Sequence, residues 1–224
     1  MEILEAIEKR HSVREYTDEK IQGEVLETLL NEIALCNAES GLNIQLITDE
    51  PEGFSGKLAH YGNFSGVRNY IALVGKNSDE LQEKCGYYGE RIVLKAQMLG
   101  LNTCWVMMTY NKGKVKKNIK VEKGEKLVCV IAIGYGANQG KPHKNCFIDS
   151  IFRLRGDMPS WFMEGLQCAL YAPTAMNQQK FRFILLENNQ VKTENRARVC
   201  GEIDLGIAKY HFEIGAGDAS FKFV

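Results

Sequence analysis

The sequence predicts an α+β fold in two similar halves, approximately 1–150 and 151–224, that together form a single unit spanning 1–224. Three observations predict it. Amphipathic stretches with helical period alternate with short apolar runs of strand length, so both kinds of element are present. A polar, irregular stretch after Tyr135, running to about Ser150, divides the chain. The order helix, loop, strand, helix, strand then begins again. Leu30–Leu35 precedes the strand at Ile44, and Leu166–Tyr171 precedes the strand at Phe181, offsets of 136 and 137 residues (30 to 166, 44 to 181). Gly86 with the helix after it matches Gly206 with its helix, an offset of 120 residues (86 to 206). That period is too long for a solenoid. It reads as an ancestral homodimer fused into one chain, or as a chance likeness between amphipathic helices.

In chain order, Ile3, Leu4 and Ile7 put a short helix over 2–10, and Val25, Leu26, Leu29, Leu30 and Ile33 put a stronger one over 23–36. Residues 43–48 alternate as a strand does. Residues 50–69 carry Gly, Ser and Asn without a period. A short apolar strand is expected over 70–74 and a helix over 87–99, with Gly100 as its stop. Strands follow over 103–108 and 127–133, the second a wholly apolar run suited to a sheet centre. In the second half, Pro159 opens a helix to Leu170. A strand over 181–186, a helix over 202–214 and a strand over 219–224 complete the chain.

Composition narrows the function. Lys plus Arg number 28 and Asp plus Glu number 28, so the net charge is zero. Nothing here favours a nucleic-acid partner held by counterion release, or a polybasic membrane anchor. No apolar run approaches the roughly 18 to 20 residues of a membrane span. The seven cysteines form no C-x-x-C pair and most lie in apolar runs, as in Leu127–Ile131. They read as reduced, buried thiols of a cytoplasmic protein. The four histidines show no metal-ligand spacing, and no metal is expected.

Four stretches could carry chemistry. In Arg10-His11-Ser12-Val13-Arg14, an extended backbone points residues 10, 12 and 14 to one face. Two guanidinium forks and a hydroxyl there match a phosphate; equally, this is a solvated basic helix end. Ile133-Gly134-Tyr135-Gly136 invites a dinucleotide-binding turn, but Lys141-Pro142-His143-Lys144 follows where a helix should open. A strand exit into a basic loop is the alternative, with Lys141, His143 and Lys144 free to meet an anion. Ala172-Pro173-Thr174-Ala175-Met176-Asn177-Gln178-Gln179 joins a proline turn to a cluster of amides, which can read the edge of a planar heterocycle or simply make a turn. Leu99–Met108 reads as a helix stop and a core strand.

Together these stretches resemble the FMN-dependent nitroreductase family. R-[RH]-S-[VI]-R is matched by Arg10–Arg14, A-P-S-x-x-N-x-Q-P-W-x-F by Ala172–Phe183, L-G-L-G-T-C-W by Leu99–Trp105, and an I-G-Y strand exit before a basic segment by Ile133–Lys144. The resemblance implies mostly antiparallel central sheets flanked by helices. The Pro/Ser/Asn segment stands in the second half here, which is similar to a single-chain, fused-repeat (pseudo-dimer) subfamily. In ordinary family dimers one subunit gives the Arg/Ser segment and its partner the Pro/Ser/Asn segment. The resemblance therefore implies one FMN per chain, held between the halves, and a monomer whose repeat replaces the family dimer.

Carried over by residue, the resemblance implies that Arg10, His11, Ser12 and Arg14 hold the phosphate and ribityl chain, with His143 and Lys144 adding charge. Pro173, Thr174, Ala175 and Asn177 would line the isoalloxazine. Met107 and Met108 stand where the family often has Gly-Gly beside the reactive nitrogen. The implied activity is hydride transfer from NADH or NADPH through FMN to a small electron-poor acceptor such as a nitroaromatic or quinone. The rivals are a non-catalytic FMN-binding protein whose pocket the two methionines occlude, and a nucleotide-binding module built on Gly134-Tyr135-Gly136.

Overall fold

The computed structural model describes all 224 residues, arranged as two four-stranded sheets with helices packed against and between them. Helix α1 (Ile3–Lys9) and helix α2 (Gly23–Ser40) lead into strand β1 (Gln45–Ile47). Short helix α3 (Lys57–Tyr61), strand β2 (Asn69–Lys76), helix α4 (Leu81–Met98), strand β3 (Asn102–Val106), helix α5 (Lys112–Asn118) and strand β4 (Glu125–Gly134) follow. The first sheet has the order β1-β2-β4-β3 and is antiparallel throughout. Strand β2 is buried on both faces from Asn69 to Gly75, which explains its unbroken apolar run. Ile71 and Leu73 face one core; Tyr70, Ala72 and Val74 face a second, smaller one.

After β4 the chain crosses to the second sheet. Strand β5 (Phe152–Arg153), helix α6 (Ser160–Ala169), strands β6 (Phe181–Leu185) and β7 (Gln190–Asn195), helix α7 (Gly201–Ala216) and strand β8 (Lys222–Phe223) build it in the order β5-β6-β7-β8. Its central pair is antiparallel and its two edge pairs are parallel. Of the expected elements, 87–99 is longer, running from Leu81, and 219–224 shrinks to two paired residues. Residues 37–40, expected as a loop, extend α2 until Gly41 ends it at φ 72°. Met107 and Met108 lie beyond the end of β3. Strand β7 escaped the sequence reading because Gln190-Val191-Lys192-Thr193-Glu194-Asn195 buries only Val191 and so shows no apolar run.

Helices α4 and α7 cross in the middle of the molecule. A Cβ added to Gly86 would lie 2.1 Å from the Ile203 carbonyl oxygen, and one on Gly206 would lie 2.0 Å from the Glu83 carbonyl oxygen. Each contact is the image of the other under the 120-residue offset found in the sequence (83 to 203, 86 to 206). Only glycine allows two helix backbones to approach so closely. The main core runs continuously from Ile71 and Ile131 on the first sheet, through Ile92 and Ile207 on these helices, to Phe183 and Val191 on the second.

Candidate functional site

The segment after α1 is extended because it is stitched to the end of the first sheet. Ser12 bridges Thr103, Glu15 bridges Ser65 and Tyr16 bridges Gly136. Val13 turns into the core at 1% exposure, so Arg10, Ser12 and Arg14 are left on the opposite side. There they line a cavity of about 620 Å³ together with His11, His143 and Lys141. The far wall comes from the second half: Pro173, Thr174, Met176 and Asn177. A second, more apolar chamber of about 280 Å³ shares Ser12, Arg14, Pro173, Thr174 and Met176 with the first. It extends past Ala175, Met107, Met108 and Trp105 to Asp204 and Ile207. The structure thus brings eleven of the twelve expected site residues, from both halves, to two adjoining chambers.

Lys144 is the exception. Its side chain is exposed and lines neither chamber, while its carbonyl oxygen accepts from Asn177 Nδ2 and Gln179 Nε2, each at 2.9 Å. Lys141 supplies the cation instead. Gly140, at φ 70°, lets this loop lie against His11; a Cβ there would stand 2.8 Å from the His11 Cβ. His143 is in place but does not add charge. Burial, and then the nearby Arg10, hold its pKa below the ordinary histidine value, and its Nε2 lies 3.0 Å from the Leu170 carbonyl oxygen. Burial lowers His11 as well, again with Arg10 beside it. The fixed cations of the polar chamber are therefore Arg10, Arg14 and Lys141, with Glu15 as a counter-charge.

The amide cluster also differs from expectation. Asn177 Oδ1 accepts from Gln179 Nε2 at 2.9 Å, Gln178 Nε2 reaches Val199 O and Asp204 Oδ2, and Gln179 Oε1 accepts from Cys146 N. These amides fasten a loop whose Met176, Asn177 and Gln179 sit at positive φ, and they are not free to read a ligand edge. The Ala175 N–H is likewise committed, donating to Asp204 Oδ1 at 3.0 Å. Nor does a helix follow Gly134-Tyr135-Gly136. Gly136 donates its N–H to Asn102 Oδ1, and the chain runs on irregularly to residue 147, so the dinucleotide turn is absent.

Three buried groups escaped the sequence reading. Asp204, at 5% exposure, faces the apolar chamber, and burial pushes its carboxyl up to about 6 against the pull of the Ala175 and Gln178 hydrogen bonds. Glu90 and His211 are wholly buried between α4 and α7. An acid or histidine inside an apolar helical run, as in Ile203-Asp204-Leu205, was the available signal.

A cation-lined chamber opening onto an apolar one, walled by the first sheet's end and by the 173–177 loop and helix α7, suits an anionic ligand with an apolar part. The chain belongs to the nitroreductase family described as "Putative TM nitroreductase", whose model matches residues 2–216. No curated protein matches it. Among solved structures, it is similar to a nitroreductase of Thermotoga maritima, with TM-score 0.65 and 21% identity over 95% of this chain and 82% of that one. It is also similar to a nitroreductase of Desulfovibrio desulfuricans solved in complex with FMN, with TM-score 0.54 and 17% identity over 71% of this chain and 99% of that one. An FMN-dependent nitroreductase of Clostridium difficile gives TM-score 0.50 and 21% identity over 63% of this chain and 91% of that one. At these identities the likeness shows the fold. No helix is long and apolar enough to cross a membrane.

Proposed function

We propose that the chain is an FMN-dependent oxidoreductase that passes hydride from NADH or NADPH to a small electron-poor acceptor, with one FMN per chain. The observation that carries this reading is the pairing of the two chambers. The residues present fit the cofactor: Arg10 is 3% exposed on the polar chamber, and its Nε has no hydrogen-bond partner. When bound, FMN accepts and donates the hydride, and the protein supplies binding, orientation and electrostatics.

The roles of this chain's residues follow from their placement. Arg10, Ser12, Arg14 and Lys141 hold the phosphate and ribityl end by charge-assisted hydrogen bonds. Pro173, Thr174 and Ala175, with Met107 and Trp105, line the apolar chamber that would take the ring, and would keep water from it. Asp204, its carboxyl pushed up to about 6 by burial, gives or takes a proton on the wall of the apolar chamber. The fused-repeat reading draws support from the matched Gly86 and Gly206 contacts and from both halves walling one site.

The test is the visible spectrum of the purified protein, followed by anaerobic addition of each nucleotide. Flavin bands that bleach with NADH or NADPH are expected. A colourless protein that does not take up added FMN overturns the reading. The second reading, a non-catalytic FMN-binding protein, draws on Met107 against the apolar chamber, while Met108 is 72% exposed and does not fill it; bands that neither nucleotide bleaches would select it.

A further inference from the structure

Glu90 has a carboxyl group with no exposure to water, on a helix whose one other acid, Glu83, is part exposed. Its Oε2 accepts from Trp105 Nε1 at 2.8 Å, an approach made possible by Gly89 beneath the indole. Its Oε1 lies 2.8 Å from His211 Nε2 and 3.7 Å from Arg10 Nε. His211 Nδ1 lies 3.2 Å from the Cys168 carbonyl oxygen. A carbonyl oxygen only accepts, so Nδ1 carries a hydrogen. Between Nε2 and Oε1 there must then be one further proton, on the ring or on the carboxyl, or two lone pairs would face each other in a buried site. Either way, Glu90 and His211 together are electrically neutral. The Arg10 guanidinium, with its Nε unpartnered, therefore keeps its full positive charge toward the chamber it lines.

We infer that His211 and Glu90 are positioning residues: the proton they share keeps Arg10 uncompensated, and so sets the affinity of the cation-lined chamber for a phosphate-bearing ligand. The inference rests on the reading that this chamber takes the FMN phosphate. In His211→Gln the second proton is gone, Glu90 becomes the counter-ion of Arg10, and the attraction for phosphate falls. Removing the carboxylate charge as well, in the double variant Glu90→Gln/His211→Gln, frees Arg10 again. A role confined to packing predicts the reverse, since two lesions damage a core more than one.

The experiment compares FMN with riboflavin, which lacks only the phosphate, by fluorescence titration of full-length apoprotein. His211→Gln is expected to lower the FMN-to-riboflavin affinity ratio about tenfold, the size of one charge-assisted hydrogen bond, without moving riboflavin affinity. The double variant is expected to bring the ratio back to within about threefold of the parent. An unchanged ratio in His211→Gln, or no recovery in the double variant, overturns the inference. The side-chain ¹⁵N spectrum of the parent protein tests it without any variant: an unprotonated His211 Nδ1 also overturns it. A parent protein that binds neither flavin refutes the flavin reading alone, and inorganic phosphate then replaces FMN in the same comparison.

Discussion

Arg14 shows how far a single residue could be read ahead of the structure. Its place two residues from Ser12 and four from Arg10 puts all three on one face of an extended segment. The structure keeps it at the mouth of both chambers, with its guanidinium 5.8 Å from the Phe64 ring. Arg14→Ala should weaken FMN about tenfold and riboflavin far less, by titration, because only the phosphate contact is lost. Asp204 is the opposite case, since nothing local marks it except an acid among Ile203, Leu205 and Ile207. Its folded pKa of about 6 exceeds the ordinary 3.8, so the folded chain holds this proton more tightly than the unfolded one. Protonation then favours folding, and the stability from this group falls as pH rises from about 4 to about 6. The decline is on the order of 2–3 kcal/mol. Urea unfolding of Asp204→Asn and its parent at pH values on either side of that window should show the variant gaining by about this amount on the alkaline side. Equal differences at both ends would refute it.

At the scale of elements, periodicity and caps carried most of the reading. Helix α2 buries Leu29 and Ile33 of its expected stripe but leaves Leu30 exposed, Gly100 ends the long helix at φ 82°, and β4 is the apolar central strand expected. The failures have physical causes. Strand β7 is held by pairing with β6 more than by burial, so its sequence is polar. The first turn and a half of α4 was missed because Gly86 and its charged neighbours break the pattern where the helix meets α7. Gly86→Ala should cost about 3 kcal/mol by chemical denaturation, because the methyl group meets backbone and not a movable side chain. Gly206→Ala should cost as much. The double variant should cost less than the two together, since one widening of the helix crossing relieves both clashes. Strict additivity would mean that the two contacts are independent.

On the whole molecule, the aromatic centre of the second sheet packs against the same helices that meet the first. Phe212 stacks on Phe183 at 4.5 Å between ring centroids and meets Phe162 edge-on at 5.4 Å. Both sheets and both crossing helices share one core, and the proposed flavin site lies where the two halves meet. No counterpart of Arg10–Arg14 occurs in the second half. Flavin release by denaturation should therefore give one FMN per 25.3 kDa chain; two would require a second phosphate site and would overturn the single-site proposal. The zero net charge is an average that conceals the local excess of Arg10, Arg14 and Lys141 over Glu15.

The sequence by itself determined the α+β class and named eleven of the residues that line the two chambers. Each of these depends on local properties: apolar period, turn residues, and short motifs whose members are neighbours in the chain. Only the tertiary structure decided that His143 is a half-buried ring held at a carbonyl oxygen and not a cation, that the amides of Asn177 and Gln179 are spent within their loop, and that Glu90 and His211 stand beside Arg10. Those facts rest on desolvation and on hydrogen bonds between groups as far apart in the chain as residues 10, 90 and 211. A residue's charge and free valences are settled by what the fold places around it, and sequence spacing carries no record of that.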